Sequence, residues 1–186
     1  MAAIRTFIAI VLTGEVRLWV ARRMEDLRPR AQGIRWVSPE NLHLTLRFLG
    51  DVEEGRMPEA HQAVRSAAEG VSPLAIRPGA FGAFPNARRP RVLYVSLEGD
   101  VERLRGLQRR IENELIGRGF PKEDRPFSPH LTIGRAMRDR RGPIDLPPTS
   151  AGTAPEMVVR EVLVMKSDLR PEGPIYTSMA RIALDT

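Results

Sequence analysis

The sequence predicts a mixed fold of helices and strands, built from two similar lobes related by a pseudo-twofold axis. The segment Phe7-Ile8-Ala9-Ile10 reappears 87 residues later as Tyr94-Val95-Ser96-Leu97, with aromatic, β-branched, small and aliphatic side chains in the same order. An amphipathic helix is predicted directly after each copy. Each helix then leads to one tripeptide, His43-Leu44-Thr45 in the first copy and His130-Leu131-Thr132 in the second.

The first repeat, at about residues 4–70, is predicted to contain two strands and two helices. In chain order they are strand 5–12, helix 14–28, strand 41–49 and helix 56–69. Apolar side chains recur at helical spacing in the first helix, at Val16, Val20, Met24 and Leu27, and Thr13 is placed to cap it. Gly50 and Asp51 are expected to close the second strand.

The second repeat, at about residues 91–137, is predicted after an extended segment over 74–84. It contains strand 91–97, a helix capped by Asp100 and closed by Gly117 and Gly119, and strand 129–137. Residues 138–155 are rich in Arg, Pro and Gly, so an irregular exposed loop is expected there. Two terminal strands are predicted within about 156–184, at 156–166 and 175–184. We expect residues 1–186 to form one bilobal domain.

The composition narrows the possible chemistry. The chain has no cysteine, which excludes disulfides, thiolate catalysis and cysteine-bearing zinc or iron–sulfur sites. Only three histidines are present, so we expect no metal and no cofactor. The net charge is +6, and all basic residues except Lys122 and Lys166 are arginine. Either a general compositional bias or phosphate recognition explains such an excess of arginine.

The apolar run at residues 7–12 is too short to span a membrane, and no cleavage site follows it. We therefore expect a cytoplasmic protein that makes no membrane contact. A monomer is also expected.

The duplicated tripeptides place histidine and threonine on the same face of each predicted strand, because side chains alternate along a strand. His43, Thr45 and Arg47 share one face in the first repeat, and His130 and Thr132 share one in the second. The intervening leucines anchor the strands in the core. Paired imidazoles suit phosphodiester hydrolysis, one taking a proton from water and the other giving a proton to the leaving oxygen. The threonines can donate to phosphate oxygens.

Several arginines lie near the two motifs, and strand alternation predicts which face of the sheet Arg47 and Arg135 occupy. Arg135 stands five residues after His130, so a regular strand turns it to the opposite face, and a bulge or the strand's end is needed to redirect it. Arg47 has the parity to line the cleft. The loop arginines, a group with either solvated or RNA-contacting roles, are Arg88, Arg89, Arg91, Arg138, Arg140 and Arg141.

These residues resemble the two-histidine phosphoesterase superfamily, which is defined by paired His-x-Thr-x motifs, here residues 43–46 and 130–133. More closely, the chain is similar to the bacterial and archaeal RNA 2′,3′-cyclic phosphodiesterases, also known as 2′-5′ RNA ligases. The matching segments span nearly the whole chain: residues 5–9, 41–50, 84–86, 90–93, 127–135, 167–169 and Tyr176.

The resemblance implies a bilobal α+β fold, with two antiparallel sheets lining a central cleft and helices outside. It implies metal-independent hydrolysis of RNA 2′,3′-cyclic phosphate ends to 2′-phosphomonoesters. His43 is then the proton donor and His130 the proton acceptor, a polarity that the two near-identical motifs do not reveal themselves. Thr45 and Thr132 are expected to bind the phosphate, with help from Arg135. Relatives often keep a helix after the second motif, whereas residues 138–155 here are expected to form a loop.

Three alternatives stay open at this point. The same histidines serve the reverse reaction, 2′-5′ ligation of RNA, by microscopic reversibility. A second alternative is hydrolysis of a small cyclic nucleotide in place of an RNA end. The remaining alternative is an RNA-binding module without catalysis, which the two intact motifs disfavour.

Overall fold

The computed structural model describes residues 2–147 and 154–185. Within them, strands and three α-helices follow one another in an α+β arrangement. The strands are β1 (Ala3–Val11), β2 (Ile34–Trp36), β3 (His43–Glu53), β4 (Leu74–Phe84), β5 (Val92–Gly99), β6 (His130–Ala136), β7 (Met157–Val159), β8 (Glu161–Arg170) and β9 (Gly173–Ala183). The α-helices are α1 (Gly14–Leu27), α2 (Met57–Ala68) and α3 (Val101–Gly117).

The sheet is antiparallel and consists of two halves. Its strand order is β7-β4-β5-β6-β3-β1-β8-β9, and β2 pairs with β6 off this path. The halves meet between β6 and β3, which pair at Leu44 and Leu131. Since these are the second residues of the two motifs, the pseudo-twofold axis passes through this pair. The predicted bilobal α+β fold is confirmed, although the two expected sheets form one continuous sheet.

Apolar side chains of both halves form one core on the helix-bearing face of the sheet. The buried face of α1 is the one the spacing predicts, and α3 buries Leu104, Leu107, Ile111 and Leu115. On the opposite face, which we call the cleft face, a small separate cluster contains Phe7, Ala9, Leu163 and Met165. The motifs therefore sit on strands that a shared core holds in place, and their polar side chains face away from that core.

Most predicted elements are present, with three differences. The strand expected to close at Gly50 continues to Glu53, because Gly50 adopts a φ of 71° that keeps the chain in the sheet through a register irregularity. Strand β2 is absent from the sequence-based prediction. The segment predicted as one strand over 156–166 is divided at Arg160, so that β7 pairs with β4 and β8 pairs with β1 and β9.

The predicted capping side chains make no capping hydrogen bond. Thr13 and Asp100 occupy the N-cap positions of α1 and α3, but neither side chain accepts a hydrogen bond from a backbone N–H of its helix. The Asp100 carboxylate instead accepts a hydrogen bond from the Ala75 backbone N–H at 2.9 Å and pairs with Arg103. Asp100 thus joins the start of α3 to the start of β4.

The predicted 138–155 loop is irregular over the described residues 138–147, and residues 148–153 lie outside them. Arg140 donates to the backbone carbonyls of Gln32, Gly142 and Pro143, so this arginine holds the loop against the segment before β2. In the described part of the chain, no helix has the length and apolar character needed to cross a membrane.

Candidate active site

The pairing of Leu44 with Leu131 brings the two motifs side by side at the junction of the halves. Both leucines are fully buried in the core, so the residues on either side of each project to the cleft face. Continuing this antiparallel register by one residue sets His43 opposite Thr132 and Thr45 opposite His130. The histidines are then diagonal neighbours, which in a regular antiparallel pair are about 7–8 Å apart. That separation leaves room for one phosphate between the imidazoles.

Each histidine ring is held by a backbone carbonyl two residues earlier in the chain. Nδ1 of His43 lies 2.7 Å from the carbonyl oxygen of Asn41, and Nδ1 of His130 lies 2.6 Å from that of Ser128. A carbonyl oxygen only accepts, so Nδ1 carries the hydrogen in both rings. The exchangeable proton of each imidazole is therefore on Nε2, the nitrogen left for a ligand.

Each histidine is also flanked by two aromatic rings. The His43 ring centroid lies 4.9 Å from that of Phe7 and 5.2 Å from that of Tyr176. The His130 ring lies 5.1 Å from Phe84 and 5.5 Å from Tyr94. Phe7 and Tyr94 are equivalent in the repeat, so the 87-residue offset contained the signal for two of these rings.

The aromatic surroundings shift both histidines toward the neutral form. Burial is the largest cause of the lowered pKa of His43, and the nearby Arg135 guanidinium lowers it further, against the opposing effect of the Asn41 hydrogen bond. The pKa of His130 is lowered for the same reasons, with Ser128 supplying the opposing hydrogen bond. An anion bound between the rings would raise both pKa values again.

A bulge after each threonine decides where the next arginine points. The pairing of β5 with β6 passes from Thr132 to Gly134, and that of β1 with β3 passes from Thr45 to Arg47, so the fourth motif residue is the extra one in both strands. The bulge in β6 turns Arg135 to the cleft face, as the sequence required for a phosphate role. Its charge reaches His43, His130 and Tyr176.

The same kind of bulge overturns the interpretation of Arg47. Counting alternate residues placed Arg47 beside His43, but the extra residue in β3 turns it into the opposite, buried face. There Arg47 lies 2.7 Å from Glu112 of α3 and 3.0 Å from Glu123. It also donates to the Pro121 carbonyl. Arg47 is a structural residue, and it does not line the cleft.

Both threonine hydroxyls are available for a ligand. In residues 2–147 and 154–185, neither the Thr45 nor the Thr132 hydroxyl has a hydrogen-bond partner, and both side chains are at least partly exposed. The third histidine, His61, lies on α2 on the helix side of the sheet and takes no part in this arrangement. Over the same described ranges, no group of three His, Asp or Glu side chains could hold a metal ion.

Comparison with known proteins agrees with this arrangement. The family model described as LigT like phosphoesterase matches residues 11–94 and 95–176, and each match contains one motif. A protein of Methanothermobacter thermautotrophicus named RNA 2′,3′-cyclic phosphodiesterase is 36% identical over 182 residues, covering 95% of this chain and 96% of the relative. A Thermotoga maritima protein of the same name is 36% identical over 178 residues, covering 92% and 91%.

Solved structures share the fold over nearly the whole chain. A crystal structure of a Thermus thermophilus protein is 32% identical, with a TM-score of 0.74 and 97% of each chain covered. The crystal structure of E. coli LigT complexed with 3′-AMP has a TM-score of 0.82 and 99% of each chain covered, at 24% identity. At that identity the likeness concerns the fold alone.

Proposed function

Because the chain belongs to the LigT-like phosphoesterases, we propose that it hydrolyses the 2′,3′-cyclic phosphate at the end of an RNA strand to a 2′-phosphomonoester. The observation that carries the proposal is the pair of imidazoles on one face at the pseudo-twofold axis, each with Nδ1 hydrogen-bonded to a backbone carbonyl. Two relatives, each 36% identical, are named for this activity, which supports the choice of substrate.

Because Nδ1–H of each histidine is hydrogen-bonded to a backbone carbonyl, proton transfer takes place at Nε2 of both rings. His130 starts neutral, and its Nε2 takes a proton from the attacking water as the new P–O bond forms. His43 starts as the imidazolium, and its Nε2–H gives a proton to the 3′ oxygen as the P–O3′ bond breaks. The product has a 3′ hydroxyl and a 2′-phosphomonoester. The two histidines finish with exchanged protonation states, and solvent restores them.

The remaining cleft residues stabilise charge on the phosphate. The Thr45 and Thr132 hydroxyls lie beside the opposite histidines and can donate to the non-bridging oxygens as their charge grows. Arg135 adds a planar, permanently charged donor on the same face. Since every step uses side chains of this chain, we expect activity to persist in EDTA. The two halves thus act as one catalytic unit, because each contributes one histidine and one threonine.

The direct test is to incubate the protein with an RNA oligonucleotide that ends in a 2′,3′-cyclic phosphate, in EDTA, and to identify the product by mass and by position of the phosphate. A 2′-phosphomonoester is expected. A 3′-phosphomonoester would contradict the proposed leaving group. Joined 2′-5′ products in place of hydrolysis would favour the ligase alternative. Tight RNA binding with no turnover would favour a binding module.

The polarity of the pair needs its own test, because the two motifs are nearly identical. A substrate with sulphur in place of the 3′ oxygen has a leaving group that needs no proton. This substrate is expected to restore turnover to His43→Ala and to leave His130→Ala inactive. The opposite pattern would assign the proton-donor role to His130.

A further inference from the structure

The strand β2 breaks the pseudo-twofold symmetry of the sheet. Among the described strands it alone lies off the main path, paired with the part of β6 beyond the second motif. Its residue pairs are Ile34 with Ala136, Arg35 with Arg135, and Trp36 with Gly134. Within the described residues, the first half has no strand at the equivalent edge of β3. Any β2 side chain on the cleft face therefore lies on one side of the site, with no counterpart on the other.

Arg35 lies directly across from Arg135 on the cleft face. Ile34 is buried in the core, so its neighbour Arg35 projects to the other side of the sheet, where Arg135 also points. Directly opposite residues of an antiparallel pair have Cβ atoms about 4.5–5.5 Å apart, and like charges in such a pair are destabilising. Both guanidinium groups can reach an anion bound between or beside them, which would offset their repulsion.

No protein group in the described ranges supplies that anion. Over residues 2–147 and 154–185, neither Arg35 nor Arg135 forms a salt bridge or a side-chain hydrogen bond, and both are exposed. Arginines with structural roles in this chain look different. Arg47 is paired with two glutamates, and Arg140 bonds to three backbone carbonyls.

The two arginines also differ in their electrostatic effect on the motif histidines. The charge of Arg135 acts on both motif histidines, whereas Arg35 is not among the charges that act on either. Arg35 is therefore the outer member of the pair, one strand further from the imidazoles. An anion held by Arg35 would therefore lie further from the imidazoles than a phosphate bound between them.

We propose that Arg35 binds the phosphodiester next to the terminal cyclic phosphate of an RNA strand, which makes this protein prefer an oligonucleotide to a mononucleotide. This inference rests on the proposed function and adds a second phosphate subsite to it. It also gives the strand a direction, since the RNA leaves the site over β2 and the second half of the sheet.

The test compares Arg35→Gln with the wild type on a trinucleotide ending in a 2′,3′-cyclic phosphate and on a nucleoside 2′,3′-cyclic phosphate. Loss of one charged phosphate contact is expected to raise KM for the trinucleotide about five- to tenfold. KM for the mononucleotide should stay within about twofold, because only the outer contact is lost. The dependence of log KM on log salt should become less steep by about 0.7 for the trinucleotide alone.

A matched control is Arg109→Gln, on α3 on the helix side of the sheet, where the arginine is exposed and has no partner in the described part of the chain. It should leave both KM values unchanged, and Arg35→Lys should recover part of the trinucleotide affinity. The melting temperature of Arg35→Gln should not fall, because the substitution relieves a like-charge contact. Equal changes for the two substrates, no change for either, or the same loss in Arg109→Gln would overturn the second subsite.

Binding separates this inference from the proposed reaction. The affinity of a fluorescein-labelled trinucleotide with a terminal 2′-phosphate, measured by anisotropy, requires no turnover. A loss in Arg35→Gln that Arg109→Gln does not share supports the subsite even if the protein proves unable to hydrolyse any cyclic phosphate. Unchanged affinity overturns the subsite whatever the catalytic result.

Discussion

At the scale of single residues, the two motif histidines define the pH dependence. Burial and Arg135 hold the pKa of both His43 and His130 below the ordinary value of 6.5. Activity needs one protonated and one neutral ring, so kcat/KM rises as His130 loses its proton and falls as His43 loses its own. The profile of kcat/KM against pH is expected to peak below pH 6.5.

Removal of the Arg135 charge is expected to change the pH dependence of kcat/KM. Arg135→Gln should raise both pKa values and move the optimum to higher pH, whereas Arg135→Lys should keep it near the wild-type position. An optimum that does not move in Arg135→Gln would show that this charge does not act on the histidines.

Substitution of Arg47 tests whether this residue, turned to the core side by the bulge, stabilises the fold. Arg47→Ala leaves Glu112 nearly buried without its counter-charge, and we expect the free energy of unfolding to fall by about 3 kcal/mol. KM should not change, because the side chain is on the core side of the sheet. Arg77→Ala is the matched control, since it breaks an exposed pair with Glu98 and should cost less than about 1 kcal/mol. A raised KM with unchanged stability in Arg47→Ala would return this residue to the cleft.

These residues also mark the limit of sequence reasoning at this scale. Alternation along a strand correctly placed both histidines and both threonines, because they precede the bulge. It misplaced Arg47, which follows one. A bulge adds a single residue to one strand and depends on the partner strand, so neither Leu46 nor Ile133 shows it in the sequence.

At the scale of elements, the packing of β4 on β5 positions the rings around His130. Gly82 lies opposite Tyr94, and a Cβ added at Gly82 would overlap the Tyr94 ring. Gly82→Ala is therefore expected to displace Tyr94 and lower kcat/KM at least tenfold, at a stability cost of about 1–3 kcal/mol. Gly106→Ala is the control, since nothing lies near that Cβ and alanine favours the helix by about 0.5–1 kcal/mol. Wild-type activity in Gly82→Ala would show that Tyr94 does not position His130.

The strand that the sequence-based prediction lacks, β2, and the strand that it merged with its neighbour, β7, are the shortest ones. Periodicity predicted α1 and α3, because each repeats its apolar pattern over several helical turns. Both β2 and β7 are three residues long, too short for any period, and each is defined by its pairing with a partner strand, β6 for β2 and β4 for β7. The consequence is functional, since β2 carries Arg35 to the cleft.

At the scale of the whole molecule, the repeat predicted more than a fold class. The 87-residue offset relates Leu44 to Leu131, Phe7 to Tyr94 and the two bulges to each other. The two copies are not identical, because Ala9 pairs with Thr45 whereas its counterpart Ser96 pairs with His130. This register difference of two residues leaves every side chain on the same face. The repeat thus accounts for the paired histidines, and β2 is the element that distinguishes the two sides of the site.

The central claim is that His43 and His130 act together on a cyclic phosphate while the third histidine does not. The most direct measurement is kcat on an oligonucleotide 2′,3′-cyclic phosphate, in EDTA, for His43→Ala, His130→Ala and His61→Ala, with melting temperatures alongside. Loss of one proton-transfer group is expected to lower kcat about 10²- to 10⁴-fold in each of the first two variants. His61→Ala should keep wild-type kcat. Full activity in either His43→Ala or His130→Ala, with the fold intact, would contradict the account.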